Sequence, residues 1–79
     1  MSNDDIYRQA FIEGLSIEEN EFNEELEYNT IVEWDSIGHM SLMSALEDAF
    51  NISLDTDDIV DFSSFQKGKE ILQKYQVAI

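Results

Sequence analysis

The fold turns on EWDSIGHMSLMSALEDAF, residues 33–50. From Ser36 onward the apolar residues Ile37, Met40, Leu42, Met43, Ala45, Leu46, Ala49 and Phe50 recur at three- and four-residue spacing, the signature of a helix with a broad apolar face. Asn51 tolerates the left-handed backbone that ends a helix. At the other end Ser36 stands where the helix begins. A serine there reads as an N-cap, its oxygen accepting a backbone N–H one turn in, worth about 1 kcal/mol. A helix start also carries roughly half a positive charge, so the same hydroxyl is well placed to bear an anionic group.

Upstream, a helix is expected over 4–14. Ser2, Asn3 or Asp4 can cap it, Ile6, Tyr7, Ala10 and Phe11 form its stripe, and Gly14 stops it. Residues 15–35 are acidic and poorly periodic. They read as a long ordered loop, with at most one helical turn, pinned by Ile17, Phe22, Leu26, Tyr28, Ile31 and Trp34. After Asn51 a short helical turn is expected over 57–61, capped by Asp55 or Thr56. A last helix opens at SSFQ, where Ser63 and Gln66 have capping-box spacing. Phe65, Gly68, Ile71, Leu72 and Tyr75 are its buried stripe. Three of the four basic residues, Lys67, Lys69 and Lys74, fall in this helix, where they suit its negative C-terminal end. No stretch alternates as a strand does. The expected fold is all-α: one domain spanning 1–79, an irregular bundle of three main helices and one short one, with a long loop between the first two.

Composition narrows the function. Eighteen acids against four bases give a formal net charge of −14. Such a chain repels phosphate backbones and anionic lipid, so nucleic acid is excluded as a partner, and partners with basic patches are expected. Apolar residues make up 43%, too many for a disordered acidic tail. There is no cysteine, hence no disulfide and no thiolate metal site. No apolar run reaches membrane-spanning length, and MSNDDIYRQAF lacks the basic region and apolar core of a signal peptide. A cytoplasmic monomer without membrane insertion is expected.

WDSIGHMSLMSALEDAF followed by NISLDTDDIVDFSSFQ resembles the acyl carrier protein family, including its peptidyl and aminoacyl carrier relatives. The family's Asp-Ser-Leu stands here as Asp35-Ser36-Ile37, about halfway along a short, highly acidic chain. The resemblance implies that Ser36 bears a covalent 4′-phosphopantetheine, placed there from coenzyme A by a phosphopantetheinyl transferase. It implies that the arm's thiol holds an acyl or aminoacyl group as a thioester for partner enzymes that load and transfer it. The chain itself would catalyse nothing and hold no specific metal. Docking falls by resemblance on Asp35, Ile37, Met40, Glu47, Asp48, Asp57 and Asp58. Trp34-Asp35-Ser36 resembles specialised stand-alone or polyketide-type carriers more than those of fatty acid synthesis. The alternative from another class is an acidic helical interaction module in which Ser36 is only a helix cap.

His39 lies one turn beyond Ser36, but a Ser–His hydrolase also needs an oxyanion hole and a group orienting the histidine, and the Gly-x-Ser-x-Gly elbow is missing. His39 is expected to be an exposed helix residue flanking the arm. DTDDIVDFSSFQ places Asp55, Asp57 and Asp61 like calcium-loop ligands, yet Val60 stands at the obligatory glycine and Gln66 at the final glutamate, so no EF-hand site is expected. Trp34, Phe50, Phe62 and Phe65 are expected in the core, as are Met40, Met43 and Leu46. The resemblance to acyl carriers also implies that an acyl chain could enter between the helices, where adaptable methionines would help a cavity form.

Overall fold

α1 begins because Ser2 and Asp5 satisfy each other's backbone. The Ser2 hydroxyl accepts from the Asp5 N–H, and the Asp5 carboxylate accepts from the Ser2 N–H. The computed structural model describes residues 2–79. Its elements are α1 (Asn3–Leu15), a 3-10 turn (Glu19–Glu21), α2 (Ser36–Phe50), α3 (Thr56–Asp61) and α4 (Phe65–Lys74). The all-α expectation holds: among the described residues there is no strand, only an isolated bridge between Glu27 and Ser64. No helix among them is long and apolar enough to cross a membrane.

Gly14 does not end α1. The chain turns at Ser16, whose backbone is left-handed (φ 56°). Gly14 instead lets α1 lie on α2: a methyl group at this position would sit 2.8 Å from the Leu42 Cα. The absent side chain is therefore what sets the helix spacing here. α2 ends at left-handed Asn51, as its sequence suggests.

The core joins all four helices. Tyr7, Phe11, Trp34, Leu42, Leu46 and Leu72 are shielded completely or nearly so. Phe11 is the hub of the aromatic packing, with Tyr7, Phe22, Trp34, Phe62 and Phe65 rings 5.0–6.3 Å from its own. The buried Tyr7 hydroxyl donates to the Phe65 carbonyl at 2.7 Å, linking α1 to α4. Burial pushes this phenol well above its ordinary value. Phe50 packs only partly buried against the cluster.

The long loop is held as ordered chain. Ile17, Leu26 and Trp34 are buried, Phe22 and Ile31 are partly so, and Tyr28 stays largely exposed. Its second half lies along the start of α4. The Phe65 N–H donates to the Leu26 carbonyl at 3.0 Å, and the Tyr28 N–H donates to the Ser63 carbonyl at 2.8 Å. Gln66, the expected partner in a capping box, reaches back to the Glu24 carbonyl instead. The cap of α4 is Ser64, not Ser63: its hydroxyl accepts from the Lys67 N–H at 2.9 Å.

Candidate functional site

Ser36 is the first residue of α2, and it does not cap it. The backbone of Asp35 is extended (φ −102°, ψ −167°), and its carboxylate accepts the Gly38 N–H at 2.8 Å. Its carbonyl accepts from the His39 N–H at 2.8 Å. Asp35 is thus the N-cap, and the reading of Ser36 as a cap is overturned. The hydroxyl is exposed and makes no hydrogen bond among the described residues. The N–H groups of Ser36 and Ile37 belong to the first turn, where a helix supplies no acceptor.

Gly38 fixes this entry. A side chain at position 38 would collide with the Glu33 carbonyl. Only a glycine lets residue 33 pass that close to the helix, so the approach to Ser36 is shaped by backbone packing.

Beside Ser36 opens a largely apolar pocket of about 360 Å³, lined by Ser36, His39 and Met40 of α2, Tyr28 of the loop, and Ile59, Val60, Phe62 and Ser63 of the α3 segment. Two of its apolar wall residues are open to solvent, Met40 at 53% and Val60 at 76%, and Ile37, next to Ser36 in the chain, is 79% exposed. Met40 is therefore not core, unlike Met43 and Leu46. α2 buries the side carrying Leu42, Met43 and Leu46, and Met40 falls at the edge of that side.

His39 is not a free surface residue. The Trp34 indole N–H donates to its Nδ1 at 2.9 Å, and its Nε2 is 2.7 Å from the Ile59 carbonyl. An indole N–H can only donate and a carbonyl can only accept, so the ring is the Nε2–H tautomer. The histidine ring stacks on Trp34 and meets Tyr28 and Phe62 edge-on.

The docking residues divide. Asp35, Ile37, Met40, Asp48 and Asp57 are exposed. Asp48 lines a different groove of about 490 Å³ between α1 and α2, away from Ser36. Glu47 and Asp58 are structural instead. Glu47 accepts the Leu54 N–H at 2.8 Å and so anchors the turn after α2. Asp58 is only 7% exposed. Its carboxylate accepts from the Lys74 ammonium and the Tyr75 hydroxyl, each at 2.6 Å, tying α3 to the end of α4. These donors hold the Asp58 carboxyl below its ordinary range. Asp55 precedes α3 but makes no side-chain cap bond. No cluster of metal-ligating side chains forms among the described residues.

Sequence reasoning missed Ile59 and Val60 as pocket walls. Their apolar character was visible, but adjacent helix residues point about 100° apart, and a six-residue helix is too short for its period to show which of the two leaves the core. Comparison with protein-family models, curated proteins and solved structures gives no match for this chain.

Proposed function

We propose that this chain is a carrier protein that holds 4′-phosphopantetheine on Ser36 and delivers acyl or aminoacyl groups to partner enzymes. The observation that carries the reading is the state of Ser36. It is an exposed hydroxyl at a helix start, relieved of capping by Asp35, at the edge of an apolar pocket. The residues fit such a group. The hydroxyl is free to be esterified, and the first-turn N–H groups of Ser36 and Ile37 favour an anion beside it. The pocket walls offer apolar surface to whatever is attached. When bound, the arm supplies the thiol that the cysteine-free chain lacks, and with it a thioester link to the cargo.

Partner enzymes meet a face that combines apolar contact with negative charge. Ile37, Met40 and Val60 are the exposed apolar residues, and Asp35 and Asp57 are exposed acids on the elements that carry them. The net charge of −14 draws in partners with basic patches, a phosphopantetheinyl transferase and the enzymes that load and receive the cargo among them. The chain acts as a monomer and performs no catalysis, in the manner of specialised stand-alone or polyketide-type carriers.

The test is direct. The unmodified chain is incubated with coenzyme A, magnesium and a broad-specificity phosphopantetheinyl transferase, and its intact mass is measured. The parent gains one arm. Ser36→Ala and Ser36→Asp gain none while keeping their helical content, and Ser36→Thr loads poorly. A folded Ser36→Ala protein that loads as well as the parent refutes the proposal. So does a parent that stays unmodified beside a working control.

A further inference from the structure

We infer that His39 is the positioning residue of the Ser36 pocket: as the Nε2–H tautomer it joins Trp34 to α3, and a second proton on its ring parts them. The inference concerns the unmodified chain and stands whether or not Ser36 carries an arm.

The pocket has two walls. One is α2, with Ser36, His39 and Met40. The other is the α3 segment, with Ile59, Val60, Phe62 and Ser63. Among the described residues, the hydrogen bond that crosses from the first wall to the second is the one from His39 Nε2 to the Ile59 carbonyl. Beyond α3 this wall is also held by the Tyr28 N–H, which donates to the Ser63 carbonyl, and by the buried Phe62 ring against His39, but α3 itself has few ties on this side. It is six residues long, its Asp55 makes no side-chain cap bond, and its Asp58 is tied away from the pocket to Lys74 and Tyr75 of the α4 end. The other ring nitrogen, Nδ1, accepts the N–H of Trp34, whose side chain is fully buried. One imidazole therefore aligns three parts: the loop that leads into Ser36, the first turn of α2, and α3.

Both bonds require a neutral ring. A protonated imidazole donates at both nitrogens. Its Nε2–H still suits the Ile59 carbonyl, but its Nδ1–H points at the Trp34 N–H, donor against donor. Rotating the ring cannot restore both bonds, because neither nitrogen can then accept. The surroundings do not take up the added charge by an ion pair. Tyr28 is the titratable ring packed on His39, 5.4 Å away between centroids. The acids on the neighbouring elements are Glu27 and Glu33 in the second half of the loop, Asp35 at the cap, Glu47 and Asp48 further along α2, and Asp57, Asp58 and Asp61 on α3. None has an oxygen within 4.0 Å of the His39 nitrogens. Asp35, Glu47 and Asp58 are already engaged with Gly38, Leu54 and the Lys74–Tyr75 pair. Histidine is the side chain that ordinarily changes charge between about pH 5 and pH 8. The proton thus breaks the bond from Trp34 while the Nε2–H keeps the Ile59 carbonyl, so the loop that leads into Ser36 loosens from α2 and α3 as pH falls.

The chain contains one histidine and one tryptophan, so each gives a single set of side-chain resonances. The experiment follows the His39 ring protons and the Trp34 indole N–H by nuclear magnetic resonance in the unmodified chain, from about pH 8 to pH 5. The expected result is one shared midpoint for both groups, with the protection of the indole N–H from exchange, relative to a free indole at the same pH, about tenfold lower on the acid side, the loss of roughly one hydrogen bond, and parallel shifts at the Ile59 and Val60 amides. His39→Asn places an amide oxygen near the Nδ1 position, and His39→Gln places an amide donor near Nε2. Neither titrates in this range, so in whichever of them folds the Trp34 signal stays level with pH. A histidine that only filled space would titrate without moving the indole. Separate behaviour of His39 and Trp34 in the parent, an indole unchanged across the range, or a pH response of the same size in His39→Asn overturns the inference.

Discussion

Removing the Asp35 carboxylate separates the cap of α2 from the hydroxyl beside it. In Asp35→Ala the Gly38 N–H loses the oxygen 2.8 Å away. Gly38 is half-buried, with the Glu33 carbonyl packed against its Cα, which restricts access of water to the freed group. Loss of an aspartate cap costs about 1 kcal/mol, within a range of about 0.5–2. For a domain of this size each kcal/mol lowers Tm by about 4–8 °C. One term opposes the loss: the formal net charge moves from −14 to −13, which eases repulsion. Measuring Tm in about 1 M salt, where the Debye length is about 3 Å, removes most of that term. Under those conditions Asp35→Ala melts about 4–8 °C below the parent. Asp35→Asn, which keeps a capping oxygen without the charge, stays close to the parent. Ser36→Ala changes an exposed side chain without a bonded partner, so its effect stays within about 0.5 kcal/mol. The double variant loses no more than Asp35→Ala alone. Thermal melts followed by circular dichroism read all four. A Ser36→Ala protein that loses as much as Asp35→Ala refutes the assignment of the cap.

Raising salt increases Tm by screening repulsion among the eighteen acids, and millimolar calcium or magnesium raises it further at matched ionic strength; a Tm indifferent to both counts against repulsion as the weak point of the fold. Because Lys74 and Tyr75 hold the Asp58 carboxyl below the ordinary carboxylate range, the stability it adds is present above that range and disappears as pH falls through the lowered value. Asp58→Asn therefore melts well below the parent at neutral pH, and the gap narrows in strong acid; a gap independent of pH contradicts the tie to α4. Gly14→Ala improves helix propensity by about 1 kcal/mol, yet its methyl lies 2.8 Å from the Leu42 Cα and 3.2 Å from the Ala45 Cβ. Overpacking of about 1–3 kcal/mol wins, so Tm falls, and a rise would show that α1 and α2 separate at little cost.

The sequence made α2 legible because its apolar period and its left-handed stop at Asn51 are local properties. The caps were harder to place. Asp35 and Ser36 are both good N-caps, as are Ser63 and Ser64, and choosing between neighbours depends on which backbone is extended as the chain arrives. That is set by the Glu33 carbonyl against Gly38 in one case and by the loop's pairing with Ser63 and Phe65 in the other. Charged residues misled for a related reason. Glu47 and Asp58 look like surface acids in a highly acidic chain, and only the arrival of Leu54, Lys74 and Tyr75 makes them structural. His39 could not be read at all from its own helix, since its two partners lie in the preceding loop and in α3. The exposed Ser36 hydroxyl was legible by position, but the pocket beside it depends on where α3 packs.

The pairing between the long loop and the start of α4 bears on how the chain acquires its shape during synthesis. The Gln66 side chain reaches the Glu24 carbonyl across 42 positions, and Phe65 and Tyr28 complete the pairing through Leu26 and Ser63. A ribosome delivers residues 24–28 long before the residues that hold them. Until the start of α4 emerges, Glu24, Leu26 and Tyr28 lack these partners, and only the bonds within the loop and to α2, such as Asn29 to Trp34 and Trp34 to His39, can form. The acidic residues Glu18, Glu19, Glu21, Glu24, Glu25 and Glu27 keep that waiting segment hydrated and apart from its neighbours. The loop that leads towards Ser36 therefore completes its pairing only when the last helix is made.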